Sequence, residues 1–188
     1  MKKIILASAS PTRKKLLIEA GFNLKIDPSN YEEDMSLSLD PKELAIYLSK
    51  AKAESVAIKY KEEIIIGADT FIVYENKILG KPITPDKAKE VLKMLSGKEH
   101  SAITGFTIID TSSNNILSRA VETKVFFKNL IDEEIDDYVA TGEPLDKAGS
   151  YAILELGEKF VERIEGSKTN VSGLPMDELI EALKKFGV

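Results

Sequence analysis

The stretch Lys2-Lys3-Ile4-Ile5-Leu6-Ala7-Ser8-Ala9-Ser10-Pro11-Thr12-Arg13-Lys14-Lys15-Leu16-Leu17-Ile18-Glu19-Ala20 decides how the chain is read. Ile4 to Ala7 is a short apolar run that predicts a buried strand. Ser10 is a good helix N-cap, and Pro11 suits the first helical position. Leu16, Leu17 and Ala20 form an apolar stripe, and Gly21 ends the helix. A strand therefore enters a helix through a small, hydroxyl-rich turn. Such a turn gathers backbone N–H groups at the positive end of the helix dipole, which suits an anion. Arg13, Lys14 and Lys15 stand beside it, where a helix built for stability would carry Asp or Glu. Lys14 and Lys15 read as solvated surface residues; Arg13 reads as functional.

The chain has 188 residues, 43% apolar and 30% charged, with a net charge of −5. This is a globular composition with ample material for a core, read as a single domain over 1–188, in two lobes. The negative balance argues against general nucleic-acid binding, so any basic site is local. There is no Cys, which excludes a disulfide framework, a thiolate metal site and a cysteine nucleophile. The first apolar run is too short for a secretory h-region of roughly 7–15 residues. Nothing approaches the ~20 apolar residues of a membrane span. The expected location is the cytoplasm, with no membrane partner.

Further along, Phe22–Ile26 predicts a second strand and Tyr31-Glu32-Glu33-Asp34 an acidic cluster in irregular structure. Asp40-Pro41-Lys42-Glu43 starts a helix that runs to about Tyr60. Leu44, Leu48, Ala51 and Ser55 are placed on its buried side. Lys52 borders that stripe; snorkelling explains most such lysines, and reach into a phosphate site is the sharper reading. Ile64–Thr70 predicts a strand buried on both faces that ends at Asp69 and Thr70, where ligands of open α/β sheets sit. Glu75-Asn76 predicts a hairpin turn, and Thr84-Pro85-Asp86 a helix start. Two long strands follow, Ser101–Asp110 and Ile116–Phe127. Then come an acidic helix over Asp132–Ala140, a polar loop over Thr141–Gly149, short strands at Tyr151–Leu154 and Phe160–Ile164, and a last helix after Gly173-Leu174-Pro175. This predicts an α/β fold: a mixed twisted sheet with flanking helices, in two lobes around a cleft. Such a cleft would bring Ser8, Arg13, Lys52, Asp69 and Lys81 near one another.

No Walker loop and no G-x-G-x-x-G after a strand is present. His100 is the sole histidine and reads as structural; no nucleophile-elbow pattern accompanies it. Carboxylates, lysines, an arginine and hydroxyls remain, a kit for phosphate chemistry assisted by a hard cation such as Mg²⁺. Glu33 and Asp69 are the carboxylates chosen for the metal.

Ser8-Ala9-Ser10-Pro11-Thr12-Arg13-Lys14-Lys15-Leu16-Leu17 resembles the opening signature of the Maf family of nucleoside triphosphate pyrophosphatases. So do Gly67-Ala68-Asp69-Thr70, Ile78-Leu79-Gly80-Lys81-Pro82, Leu95-Ser96-Gly97-Lys98-Glu99-His100, Thr141-Gly142-Glu143-Pro144, Lys147-Ala148-Gly149-Ser150-Tyr151 and Asn170-Val171-Ser172-Gly173-Leu174-Pro175. These segments stand in family order across essentially the whole chain. The resemblance implies a fold related to the inosine triphosphatase group and hydrolysis between the α and β phosphates of a nucleoside triphosphate. It also implies a divalent cation (Mg²⁺ or Mn²⁺), a cytoplasmic location and a homodimer. It gives Asp69 the role of proton acceptor and Glu33 a place in the acidic metal loop. Ser8, Arg13, Lys52 and Lys81 would hold the triphosphate.

The dTTP/UTP-like subgroup usually reads Ser-Pro-Arg-Arg, with Thr12 here in place of the first Arg. It carries Gln after K-A-G-x-Y-x-I, where this chain has Leu154. Thr70 matches that subgroup. A lost amide predicts relaxed or altered base selection with the chemistry intact. The alternative expectation is a nucleotide-binding regulator of cell division without significant turnover.

Overall fold

A computed structural model of the chain describes residues 2–32 and 37–188. Its elements are β1 (Ile4–Leu6), α1 (Pro11–Glu19), β2 (Leu24–Ile26), α2 (Pro41–Ala57), β3 (Ile64–Tyr74) and β4 (Lys77–Leu79), then α3 (Pro85–Leu95), β5 (Glu99–Asp110), β6 (Asn115–Phe127), α4 (Asp132–Ala140), β7 (Val161–Glu165), α5 (Lys168–Val171) and α6 (Met176–Lys184). The strands form one seven-stranded mixed sheet in the order β2-β1-β3-β5-β6-β7, with β4 paired to β3. β1 runs parallel to β2 and β3, while β4 and β7 are antiparallel to β3 and β6. Among the described residues, no helix is long and apolar enough to cross a membrane.

Two compact units form. The first comprises Met1–Asp69, Thr104–Val121 and Gly173–Val188. Ile4–Leu6 and Ile64–Ile66 are apolar without alternation because both faces are covered. Ile4, Leu6, Ile64 and Ile66 share a core with Leu16 and Leu17 of α1 and Leu179 and Leu183 of α6. Ile5, Ala7 and Ile65 point the other way and pack with Ala53 and Val56 of α2. The second unit comprises Thr70–Ile103 and Glu122–Ser172. There Val91, Leu92 and Leu95 of α3, Ile135, Tyr138 and Val139 of α4, and Val125 and Phe127 of β6 form a single core with Tyr151, Ile153 and Phe160. Lys89 and Lys93 of α3 pair with Asp136 and Asp132 of α4 at 2.7 and 2.8 Å.

The helix starts follow their local chemistry. Ser10 accepts from the Arg13 N–H, Asp40 from those of Lys42 and Glu43, and Thr84 from that of Lys87, each with Pro at the first helical position. The Glu75-Asn76 turn forms with φ of 47° and 61°, the left-handed pair that a two-residue hairpin requires.

Three expectations are corrected. β3 does not end at Asp69 and Thr70; it continues to Tyr74 because β4 pairs with Ile72, Val73 and Tyr74. Tyr151–Leu154 is not a strand, since this segment turns over instead of joining the sheet. Ala51 and Ser55 are only half-buried, and the covered side of α2 is Leu44, Ala45, Leu48, Ser49, Ala53 and Val56. A short helix, α5, also appears where none was expected.

Candidate active site

The first unit holds two constellations. At the α1 start, the Ser8 hydroxyl oxygen accepts from the Ser10 N–H at 3.3 Å and from Arg13 Nη1 at 3.1 Å. A hydroxyl that accepts twice directs its own proton to a third partner. Arg13 Nε donates to the Gly173 carbonyl at 2.9 Å, so the guanidinium is oriented from both sides. α2, α3, α4 and α6 all carry Asp or Glu in the first turn; α1 carries none and presents Arg13 instead. That inversion of the usual dipole arrangement favours an external anion. Lys14 and Lys15 are exposed, as expected of surface residues, and Lys15 lies 3.8 Å from Glu19.

The second constellation is Lys52 with Asp69. Their side chains are 12% and 9% exposed, and Lys52 Nζ donates to Asp69 Oδ1. The reach depends on how closely α2 lies on the sheet. A Cβ at Gly67 would meet the Ser49 carbonyl at 2.3 Å, and one at Gly105 would meet the Ala45 carbonyl at 2.1 Å. Only hydrogen at those positions lets the helix backbone rest on β3 and β5. Hydroxyls tie the same contact: Ser49 to Thr107 at 2.9 Å and Thr107 to Ser118 at 2.8 Å. A helix held this near brings the lysine to a carboxylate on the strand below. Lys52 is therefore paired with a buried acid, beyond what snorkelling alone accounts for.

The remaining expected site residues are placed as follows. Thr12 is half-buried in the first turn of α1. Thr70 is half-buried in β3, and Lys81 is exposed after β4; both belong to the second unit. Leu154 stands on a turn of that unit and is 40% exposed. Glu33 lies outside the described residues. Among the described residues, no group of three or more His, Asp or Glu side chains is arranged to hold a metal ion. The donor chemistry of Asp69 still fits a hard divalent cation, because Mg²⁺ needs only one or two carboxylates when phosphate and water supply its other ligands.

Lys147 is a basic residue near Lys81 to which the sequence reading gives no site role. Asp146 is held below the ordinary carboxylate range first by its bond to Lys147 and further by the charge of Lys81. The Gly149 N–H also donates to the Gly80 carbonyl at 3.3 Å. Lys81 and Lys147 thus stand together in the second unit. The signal for Lys147 is the run Lys147 to Tyr151, which carries the family resemblance without giving the lysine a role of its own. His100 is structural, as expected: it is 2% exposed, edge-on to Phe127 at 4.8 Å, with Nε2 bonded to the Tyr151 hydroxyl at 2.9 Å. Burial lowers its pKa to about 4.

A dTTP/UTP pyrophosphatase of Methanosarcina mazei is 46% identical over 189 residues, covering 100% of this chain and 96% of its own. One of Geobacillus sp. (strain WCH70) is 44% identical over 100% of both chains, and one of Bacillus cereus (strain G9842) is 45% identical over 100% of this chain and 97% of its own. A solved structure, that of the Staphylococcus aureus Ham1 protein, aligns with TM-score 0.41 and 13% identity over 67% of this chain and 72% of that one. The family model described as Maf-like protein matches residues 3–186. With the signature turn, the buried acid and the basic loop lying inside that span, this chain belongs to the Maf-like protein family.

Proposed function

We propose that the chain is a nucleoside triphosphate pyrophosphatase. It hydrolyses the bond between the α and β phosphates and releases a nucleoside monophosphate and pyrophosphate. The whole chain acts as one catalytic domain. The observation that carries this reading is the buried Asp69–Lys52 pair, set in the same unit as the Ser8–Arg13 turn.

Asp69 takes a proton from water as the water oxygen bonds to the α phosphorus. The α–β bridging bond breaks, and its electron pair leaves with pyrophosphate, which is protonated from solvent. Lys52 pairs with the Asp69 carboxylate and aims it. Arg13 and Ser8 donate to phosphate oxygens, and Lys81 adds positive charge to the polyphosphate. Preorganised donors of this kind are typically the largest contribution to such catalysis. A divalent cation, Mg²⁺ or Mn²⁺, would be held by Asp69 with Glu33 and would neutralise phosphate charge.

The substrates in this reading are dTTP and UTP, by likeness to the relatives so named. Modified pyrimidine nucleotides are included. Thr70 fits that preference, while Leu154 relaxes it, because a leucine cannot hydrogen-bond a base edge. A homodimer in the cytoplasm completes the reading; light scattering tests the former.

Product analysis tests the chemistry. The protein is incubated with a panel of nucleoside triphosphates and Mg²⁺ or Mn²⁺, with and without chelator, beside an Asp69→Asn variant. Monophosphate and pyrophosphate that vanish in the variant support the proposal. Diphosphate and phosphate as products would refute it. Tight nucleotide binding without turnover would favour the regulator.

A further inference from the structure

We infer that Glu143 sets nucleobase selection by positioning the turn that carries Leu154; this rests on the pyrophosphatase reading above. The turn over Tyr151–Gly157 joins no strand; it closes on itself through the Glu155 N–H to the Ala152 carbonyl at 3.2 Å, and further bonds go to side chains. The Tyr151 hydroxyl bonds His100 Nε2 at 2.9 Å. The Ala152 N–H donates to the Tyr138 hydroxyl oxygen at 3.2 Å, and that hydroxyl donates to Glu143 Oε1 at 2.7 Å. The same Oε1 accepts from the Gly157 N–H at 3.1 Å, and Oε2 accepts from the Leu156 N–H at 3.2 Å. One carboxylate thus receives three donors and clamps the far end of the turn, while two aromatic hydroxyls hold the near end.

What this clamp presents is unusual for a turn. Its crest carries Leu154 and Leu156, 40% and 56% exposed. Ordering a residue costs roughly 1–2 kcal/mol of backbone entropy. Charge-assisted bonds are about twice as strong as neutral ones and can offset that cost. If the turn served the fold alone, its apolar side chains would point into the core, as Tyr151 and Ile153 do. Instead, Leu154 lies at the exposed crest, between the bonded Ala152 and Leu156. Glu143 lies in the Thr141-Gly142-Glu143-Pro144 motif, which has no other assigned role here. It acts on substrate only through the turn, as a positioning residue.

The test compares Glu143→Ala, Glu143→Gln, Tyr138→Phe and Leu154→Ala in the full chain. kcat and KM are measured for UTP, dTTP, CTP, GTP and ATP, and amide exchange is followed at residues 152 to 157. In Glu143→Ala the UTP-over-GTP ratio of kcat/KM should change about tenfold, through KM, with kcat altered less than about threefold. Glu143→Gln, which keeps one acceptor oxygen, should be intermediate. Leu154→Ala should add nothing further in the Glu143→Ala background. The Leu156 and Gly157 amides should exchange faster. A selectivity ratio that survives Glu143→Ala and Tyr138→Phe overturns the proposal. So do additive effects of Glu143→Ala and Leu154→Ala, or a wild-type chain with no base preference. If Glu143→Ala does not fold, Glu143→Gln and Tyr138→Phe decide. Should the wild type release no pyrophosphate, the enzyme reading fails alone. Dissociation constants for UTP and GTP across the same variants then decide the positioning role.

Discussion

Lys52 Nζ donates to Asp69 Oδ1 from a helix whose backbone rests on the strand that carries the carboxylate. The pair binds catalysis and stability together, and variants separate the two. Asp69→Asn should lower turnover by about 10²–10⁴-fold through loss of the base. Lys52→Met should cost about 3 kcal/mol of stability, because it strips a buried carboxylate of this cation. The double variant should recover most of that stability and none of the activity. Denaturant unfolding and pyrophosphate release, measured on all three, check this.

Gly67→Ala tests the close approach of α2 to β3. The new Cβ would overlap the Ser49 carbonyl, so helix and strand must separate. The expected cost is about 1–3 kcal/mol, as for other overpacked interiors. Turnover should fall as well, because Lys52 recedes from Asp69. Full activity in a folded Gly67→Ala protein would detach the helix position from the chemistry.

His100 makes a prediction about acid. Burial lowers its pKa to about 4, whereas the unfolded chain titrates near 6.5. Between these values the unfolded state binds the extra proton. Stability is therefore full above about pH 6.5 and falls as the pH drops toward about 4, by about 3 kcal/mol from this group. His100→Gln keeps a polar partner for Tyr151 and removes the titration. Unfolding free energies across that pH range should be flatter for the variant than for the wild type.

Leu154→Gln restores the amide that the dTTP/UTP-like pattern carries. It should sharpen discrimination between UTP and GTP by about tenfold or more. Competition kinetics with both nucleotides in one reaction measure this. An unchanged ratio would remove Leu154 from base selection.

What could be read from the sequence was what local chemistry decides. Ser10-Pro11, Asp40-Pro41 and Thr84-Pro85 announce helix starts because a cap needs only its own first turn. Glu75-Asn76 announces a hairpin for a similar reason. The errors arose where partners lie outside the segment itself. The apolar run to Ala68 looked like a whole strand, yet β4 extends it through Tyr74. Tyr151-Ala152-Ile153-Leu154 has strand-like composition, but its N–H and hydroxyl groups bond Tyr138 and His100, residues far away in the chain. Buried residues of α2 follow the sheet face on which it rests, which a helical stripe alone does not reveal. The candidate residues were legible as types at motif spacing. That Lys52 reaches Asp69 was not, because it depends on two glycines in different strands.

The bond from Arg13 to the Gly173 carbonyl spans 160 residues of sequence. The segment that bears Gly173 also supplies Leu179 and Leu183 to the core beneath α1. During synthesis Arg13 has its local partner, Ser8, early, but it lacks the Gly173 carbonyl until the segment after Ser172 has been made. The second unit, whose segments all emerge earlier, can fold first. The order of translation thus delays the full orientation of this arginine until the fold around it is complete.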